Sequence, residues 1–347
     1  MTNLFFFKEM KKVICIGSAT RDIFFSLRID DQEGDKICLP AGAKFYTDDY
    51  REMVGGGAVN VGASLQKLGL RAFVFARTDK TMTGKWIQKQ IGRLKLKKNY
   101  MQQNGRIPSE TSIVIFDRQE NDRVILRSGD SVENFNLAKA FKKFREKVDW
   151  IYLSSQKKNN LENLDLTVQF ANEKKAGLAL NPSSYQLENN RDDLLERLGE
   201  VNILFLNFSE ACLLTETPVG EAQAEELCQK MLNQGVKIVV LTDGKRGAWV
   251  ASFIKKEFFI FHLSAEVEAK VVDTTGAGDA FNAGFLATYI EAESDYEMDF
   301  SEKLKRSLAA GIANSTAVIG EIGAVNGSLK PSALRRQIKK LLRKTTS

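Results

Sequence analysis

Short apolar runs recur along the chain, separated by longer stretches in which apolar side chains return every third or fourth position. KVICIGS (12–18), RAFVFAR (71–77), DWIYLSS (149–155), GLALNP (177–182), NILFLN (202–207) and KIVVLTDG (237–244) are too short for helices, and all but GLALNP carry β-branched or aromatic residues. They predict buried strands. Between them, AVNVGASLQKLG, TGKWIQKQIGRLK, LENLDLTVQFANEKK and EAQAEELCQKMLNQG carry the helical period. Strand and helix in alternation predict an α/β fold of three α/β/α layers, Rossmann-like, around a mostly parallel sheet.

Two stretches break this rhythm. From Asp22 to about Tyr46 and from Glu110 to about Arg127 the apolar residues alternate, as in DIFFSLRI, KICLP, TSIVIFD and RVILRS. Alternation predicts half-buried antiparallel strands. We expect them to form a small β-sheet lid, built from segments of about 22–54 and 104–131, over the strand ends where such folds bind ligands. No internal repeat or low-complexity linker divides the 347 residues, so one domain over 1–347 is expected.

Composition adds exclusions. The hydrophobic share of 43% and charged share of 27% are those of an ordinary globular protein. Much of the net charge of +6 sits in the tail LRRQIKKLLRKTTS, whose Leu and Ile spacing predicts an amphipathic helix. No aromatic residue interleaves with its basic ones, so no nucleic-acid partner is expected. Cys15, Cys38, Cys212 and Cys228 lack CxxC spacing and fit reduced thiols of a cytoplasmic protein. The N-terminal LFFF is followed by KEMKK, unlike a signal peptide, and no apolar stretch reaches the ~20 residues of a membrane helix. His262 is the only histidine, which removes a Ser-His-Asp triad and most zinc sites.

Candidate chemistry concentrates in DTTGAGDAF (273–281), which runs from AKVVD, read as a strand, into the helix AFNAGFLATYIEA. It is neither a Walker loop, lacking GK[ST], nor GxGxxG, because Phe281 stands at the third glycine. The N–H groups of Gly276, Ala277 and Gly278, with a helix dipole behind them, make a cradle for negative charge. Asp279 in that cradle makes sense as the carboxylate facing a hydroxyl that attacks a phosphoryl group. An Asp that only caps a helix after a glycine turn fits the local pattern as well.

DTTGAGDAFNAGF and GGGAVNVGASLQKLG (55–69), followed in order by LNFSEA and LTDGKRGAW, resemble the signature stretches of the ribokinase-like (PfkB) family of sugar and nucleoside kinases. The resemblance implies that Asp279 is the catalytic base and that Gly276, Ala277 and Gly278 form the anion hole. It implies ATP as donor, with Asn207 and Glu210 ordering Mg²⁺ through water; the same spacing is also a helix capping box. Thr242, Gly244 and Gly247 would approach the nucleotide phosphates, and Ala310 and Asn314 would border adenine. Asp273 and Thr275 would adjoin a K⁺ site. Asp22, Gly55, Gly56 and Asn60 would bind the acceptor, with Gly55, Gly56 and Gly57 as lid hinge.

The acceptor is expected to be a simple sugar, phosphorylated on a hydroxymethyl group. A nucleoside comes second, with Phe24, Phe25 and Phe45 as surfaces for its base. A phosphosugar comes third, with Arg123 and Arg127 for its phosphate. A homodimer through the lid strands is a further expectation. Rival classes are a non-catalytic nucleotide-binding protein and a nicotinamide dehydrogenase.

Overall fold

In the computed structural model, which describes residues 10–27, 32–33, 36–37, 41–47, 49–105, 107–117, 122–129, 135–156, 160–265 and 271–344, each predicted buried strand lies in one sheet. Its order is Glu257–Leu263, Ala248–Ile254, Ile238–Thr242, Ile203–Asn207, Gly177–Leu180, Trp150–Leu153, Lys12–Ile16, Arg71–Phe75. Pairing is parallel from Ile238–Thr242 onward, and the first two strands add an antiparallel edge hairpin.

Alternate side chains feed two cores. Val13 and Cys15 join one cluster with the helices Gly57–Lys67, Ala277–Glu293, Phe300–Ile319 and Pro331–Lys344. Ile14 and Ile16 join the other, with Asn160–Lys174, Phe208–Thr215 and Ala224–Asn233. Burial on both faces is why the strands read as unbroken apolar runs. The basic tail docks through Leu334, Ile338 and Leu341, all buried, as its amphipathic spacing predicts. Cys15, Cys212 and Cys228 are buried free thiols, and Cys38 lies outside the described residues.

A second sheet of four strands, Asp122–Ser128, Thr111–Asp117, Thr20–Leu27 and Tyr50–Gly55, forms the lid. The central Thr20 and Thr111 strands run parallel, and the outer two pair antiparallel. YREMVG (50–55) was not expected as a strand, because its charged start hides the alternation. Of KICLP only Lys36–Ile37 is described as strand, against Gln32–Glu33. The strand expected at AKVVD is not found: residues 266–270 lie outside the described residues, and 271–273 form an irregular segment whose Val272 and Asp273 N–H groups donate to the Ile319 carbonyl.

Candidate active site

The chain leaves the strand Lys12–Ile16 toward Arg71–Phe75 on one side and later returns to pair Trp150–Leu153 on the other. Such a reversal opens a crevice at the carboxyl ends of the two strands, where open α/β sheets bind ligands. Ser154, next after the second of these strands, lies in that crevice, and the glycine segment 55–57 crosses it.

The helix Ala277–Glu293 begins here. Gly276 is its N-cap at φ 76°, a left-handed conformation, and a Cβ on it would stand 2.2 Å from Ala324 Cβ. Any other residue would strain the turn and push the neighbouring loop away. A Cβ on Gly278 would meet nothing within 4 Å, so open space lies before the turn. The Ala277 N–H bends back to the Thr274 carbonyl at 3.3 Å, a long bond. Gly276 and Gly278 donate to no carbonyl among the described residues. The turn therefore leaves two N–H groups without a carbonyl partner among the described residues and holds a third loosely.

Asp279 sits in the first turn and accepts a 2.8 Å hydrogen bond from Asn60 Nδ2, on the helix after the glycine segment. Asn60 is 5% exposed, and its Oδ1 is buried without a partner among the described residues. That orphaned acceptor suits a ligand hydroxyl, since buried polar atoms otherwise find partners. Asp279 is half-buried at the open side of the cleft, yet surrounded closely enough that desolvation pushes its pKa up to about 6. The Asn60 bond and the charge of Arg127 oppose the rise, and Asp22 adds to it.

Asp22 projects from the lid into the same space. Burial raises its pKa, against hydrogen bonds from Thr20 (2.9 Å) and Ser112 and the charge of Arg127. A Cβ on Gly55 would lie 1.9 Å from Asp22 Oδ2, so only glycine leaves this carboxylate room. Gly56 turns at φ 94° against the Ser18 carbonyl, and the Gly57 N–H donates to Ser18 Oγ at 3.0 Å. Strand register sets Met53, Asp22, Ser112 and Arg127 in one row of the lid. Of the residues expected near a base, Phe24 is lid core, Phe25 packs against Tyr50 and Phe45 is exposed. The side chain of Arg123 lies outside the described residues.

Farther along the sheet edge, Asn207 and Glu210 form a reciprocal capping box: Asn207 Oδ1 accepts from the Glu210 N–H at 2.8 Å, and Glu210 Oε2 from the Asn207 N–H at 3.0 Å. Burial raises the Glu210 pKa, and the Asn207 N–H opposes it. Thr242 ends the neighbouring strand, with Oγ1 directed to the Leu206 carbonyl at 3.4 Å. Gly244 and Gly247, at φ 47° and 95°, bracket the tight turn that follows. Arg246 in that turn pairs with Asp243 at 2.6 Å and lies over the Phe208 ring.

Asp273 accepts from the N–H groups of Thr275 (2.8 Å) and Gly323 (3.0 Å), joining the anion loop to the turn after Phe300–Ile319. Thr275 Oγ1 beside it is buried without a hydrogen-bond partner among the described residues. The expectation for Ala310 and Asn314 requires correction. Both are fully buried, and Asn314 spends its amide internally, donating to the Ala280 carbonyl (2.8 Å) and accepting from the Leu329 N–H (2.9 Å). They lock the Ala277 and Phe300 helices together and face no open surface.

Sequence reading missed the hydrogen bonds beneath Asp279. Asn282, one turn after Asp279, donates to the Tyr152 hydroxyl at 2.9 Å, and Tyr152 donates to Asn181 Oδ1 at 3.1 Å. The three-residue spacing from Asp279 was the available signal, since it places Asn282 on the same helix face.

A carboxylate and open backbone donors at a helix start, under a β lid at the switch point of an α/β sheet, define a class of phosphotransferases that use an alcohol acceptor. The model of the pfkB family carbohydrate kinases matches residues 10–331, and the chain belongs to that family. The chain is 23% identical over 307 residues to the ATP-dependent 6-phosphofructokinase of Thermoanaerobacterium thermosaccharolyticum, covering 86% of this chain and 89% of the relative. It is 22% identical over 313 residues to the ribokinase of Haemophilus influenzae, covering 88% and 92%. The solved structure of Arabidopsis thaliana ribokinase complexed with ribose and ATP superposes with a TM-score of 0.71 at 20% identity, covering 95% of this chain and 99% of that one.

Proposed function

We propose that the protein transfers the γ-phosphoryl group of ATP to a hydroxymethyl group of a simple sugar. The observation that carries this reading is the meeting of Asp279, Asn60 and Asp22 before the open donors of Gly276 and Gly278. Asp22, with two acceptor oxygens, suits adjacent sugar hydroxyls. The orphaned Oδ1 of Asn60 takes a further hydroxyl, while its Nδ2 holds Asp279 in place. Asp279 accepts the proton of the attacking hydroxyl as the oxygen–phosphorus bond forms. The loop N–H groups hold the charge gathering on the phosphoryl oxygens, and ADP departs. A base raised to about 6 is stronger than an ordinary Asp and still ionised at neutral pH. Lid closure excludes water, the competing acceptor.

Among the described residues no three His, Cys, Asp or Glu side chains gather as metal ligands. Glu210 spends only Oε2 in the capping box, so its other carboxylate oxygen fits Mg²⁺ held through its waters beside Asn207, where the ion would screen the phosphate charge. Asp273 and the orphaned Thr275 hydroxyl fit a monovalent cation beside the anion loop. A phosphosugar acceptor is the second reading, supported by Arg127, whose charge reaches both Asp22 and Asp279.

One further proposal concerns the surroundings. Among the described residues no helix is long and apolar enough to cross a membrane. Val124 (37% exposed) and Leu126 (53%) on the lid's edge strand support a homodimer through the lid, which light scattering would test. The function is tested by following ADP release against a panel of sugars, sugar phosphates and nucleosides. Turnover confined to nucleosides overturns the sugar reading, and none with any acceptor overturns the kinase reading.

A further inference from the structure

A large cavity lies at the opposite end of the sheet from the phosphoryl-transfer cleft. Its volume is about 1080 Å³, and it is lined at the amino ends of the parallel strands, by Trp150, Gly177, Asn202 and Ile238 among others. No residue of the catalytic loop, the glycine segment or the capping box lines it. Five lysines do: Lys11, Lys147, Lys174, Lys175 and Lys237.

Only two carboxylates line the same cavity, and both are engaged. Asp149 accepts from Lys11 Nζ at 3.0 Å and from the Lys12 N–H at 2.9 Å. Glu293 Oε2 accepts from Trp150 Nε1 at 2.9 Å. Lys174 lies over the Phe170 ring. Lys147, Lys175 and Lys237 are exposed and make no ion pair among the described residues.

The sheet brings these three to one rim of the cavity. Lys147 precedes the Trp150 strand, Lys175 the Gly177 strand and Lys237 the Ile238 strand. Trp150 pairs with Gly177, and Ile238 with Ile203 on the strand between. At about 4.8 Å per strand the strands behind Lys147 and Lys237 stand roughly 14 Å apart, and the register sets Lys237 three residues farther along the strand direction than Lys175. A Cβ on Gly177 would come within 2.5 Å of the Trp150 ring, so the glycine lets the indole lie against its neighbouring strand as part of the cavity wall.

Charge bookkeeping sets the ligand. Five lysines against two carboxylates leave a surplus of three. The carboxyl ends of Asn160–Lys174, Ala224–Asn233 and Ala277–Glu293 lie near this rim and offset about half a charge each, while the amino end of Phe300–Ile319, whose Phe300 also lines the cavity, adds about half a charge. About two positive charges remain, which matches a phosphomonoester near neutral pH at about −1.5 to −2. We propose that this cavity is a second anion site, which binds a phosphorylated small molecule through Lys147, Lys175 and Lys237, apart from the cleft that transfers phosphate.

Hydrogen exchange of the full-length protein, read over residues 147–150, 174–177 and 235–238, tests this with two probes, inorganic phosphate and a pentose 5-phosphate. We expect saturable protection there with at least one probe, weakened by 0.5 M salt. The triple variant Lys147→Glu, Lys175→Glu, Lys237→Glu should lose at least tenfold in affinity, while its kcat and KM without added phosphate stay unchanged. A triple Gln variant keeps the test valid if charge reversal disturbs folding. Protection confined to 273–279, or equal binding by wild type and the Gln variant, overturns the proposal.

Discussion

Asp279→Asn separates catalysis from stability at one atom pair. Asparagine keeps the shape and an oxygen that can accept from Asn60 Nδ2, so the 2.8 Å contact has a partner in both proteins. What disappears is the proton acceptor. A positioned base contributes about 10²- to 10⁴-fold, so kcat should fall by that factor, or about 3 to 5 kcal/mol of barrier. The same carboxylate stores instability, because burial moves its pKa from 3.8 in the ordinary state to about 6 in the fold. Between those values the unfolded chain is ionised while the native Asp279 is protonated, so stability falls as pH rises through that window. Two units are worth up to about 3 kcal/mol, an upper bound because the cleft admits solvent. The penalty is fully present above pH ~6 and absent below pH ~4. Urea unfolding should therefore find the Asn variant more stable than wild type by about 1 to 3 kcal/mol at pH 8, and equal to it near pH 4. A coupled ADP assay reads kcat on the same preparations. A variant that keeps more than a tenth of wild-type turnover, or is less stable at pH 8, would refute the reasoning.

The acid limb of kcat/KM should lie near pH 6, where Asp279 loses its charge; Asn60→Ala removes the bond that lowers this pKa and should move the limb upward. Gly55→Ala places a methyl group 1.9 Å from Asp22 Oδ2 and should raise KM for the acceptor at least tenfold with KM for ATP nearly unchanged, read from initial rates. Glu210→Ala breaks the capping box and should cost about 1 kcal/mol in urea unfolding, whereas Glu210→Gln can keep the cap and should raise only the Mg²⁺ concentration needed for half-maximal rate.

The layers of this fold are legible because burial on both faces of a parallel sheet leaves an unmistakable mark. KVICIGS, NILFLN and KIVVLTDG lose only their polar ends in the structure. The edge hairpin and the lid strand YREMVG are harder, since one solvated face admits charged residues and the alternation dissolves. The glycine turn and the helix that carries Asp279 were readable because a helix start after a glycine pair has few conformations open to it. Asn207 and Glu210 carried two meanings in the sequence, and the structure realises the capping box without excluding an outer contact to Mg²⁺. The small-residue stripe at Ala310 and Asn314 misled, because close helix packing and a slot for a flat base demand the same residues. The lysines at the far rim were invisible, since they are 28 and 62 positions apart and only the adjacency of strands in the sheet brings them to one cavity.

Phosphorus NMR of the product tests the central claim most directly. When ATP and the sugar that supports turnover are supplied, the account predicts one new phosphomonoester resonance, split into a triplet by the two protons of a hydroxymethyl carbon. Release of inorganic phosphate alone, or a doublet from a secondary or anomeric ester, would contradict it.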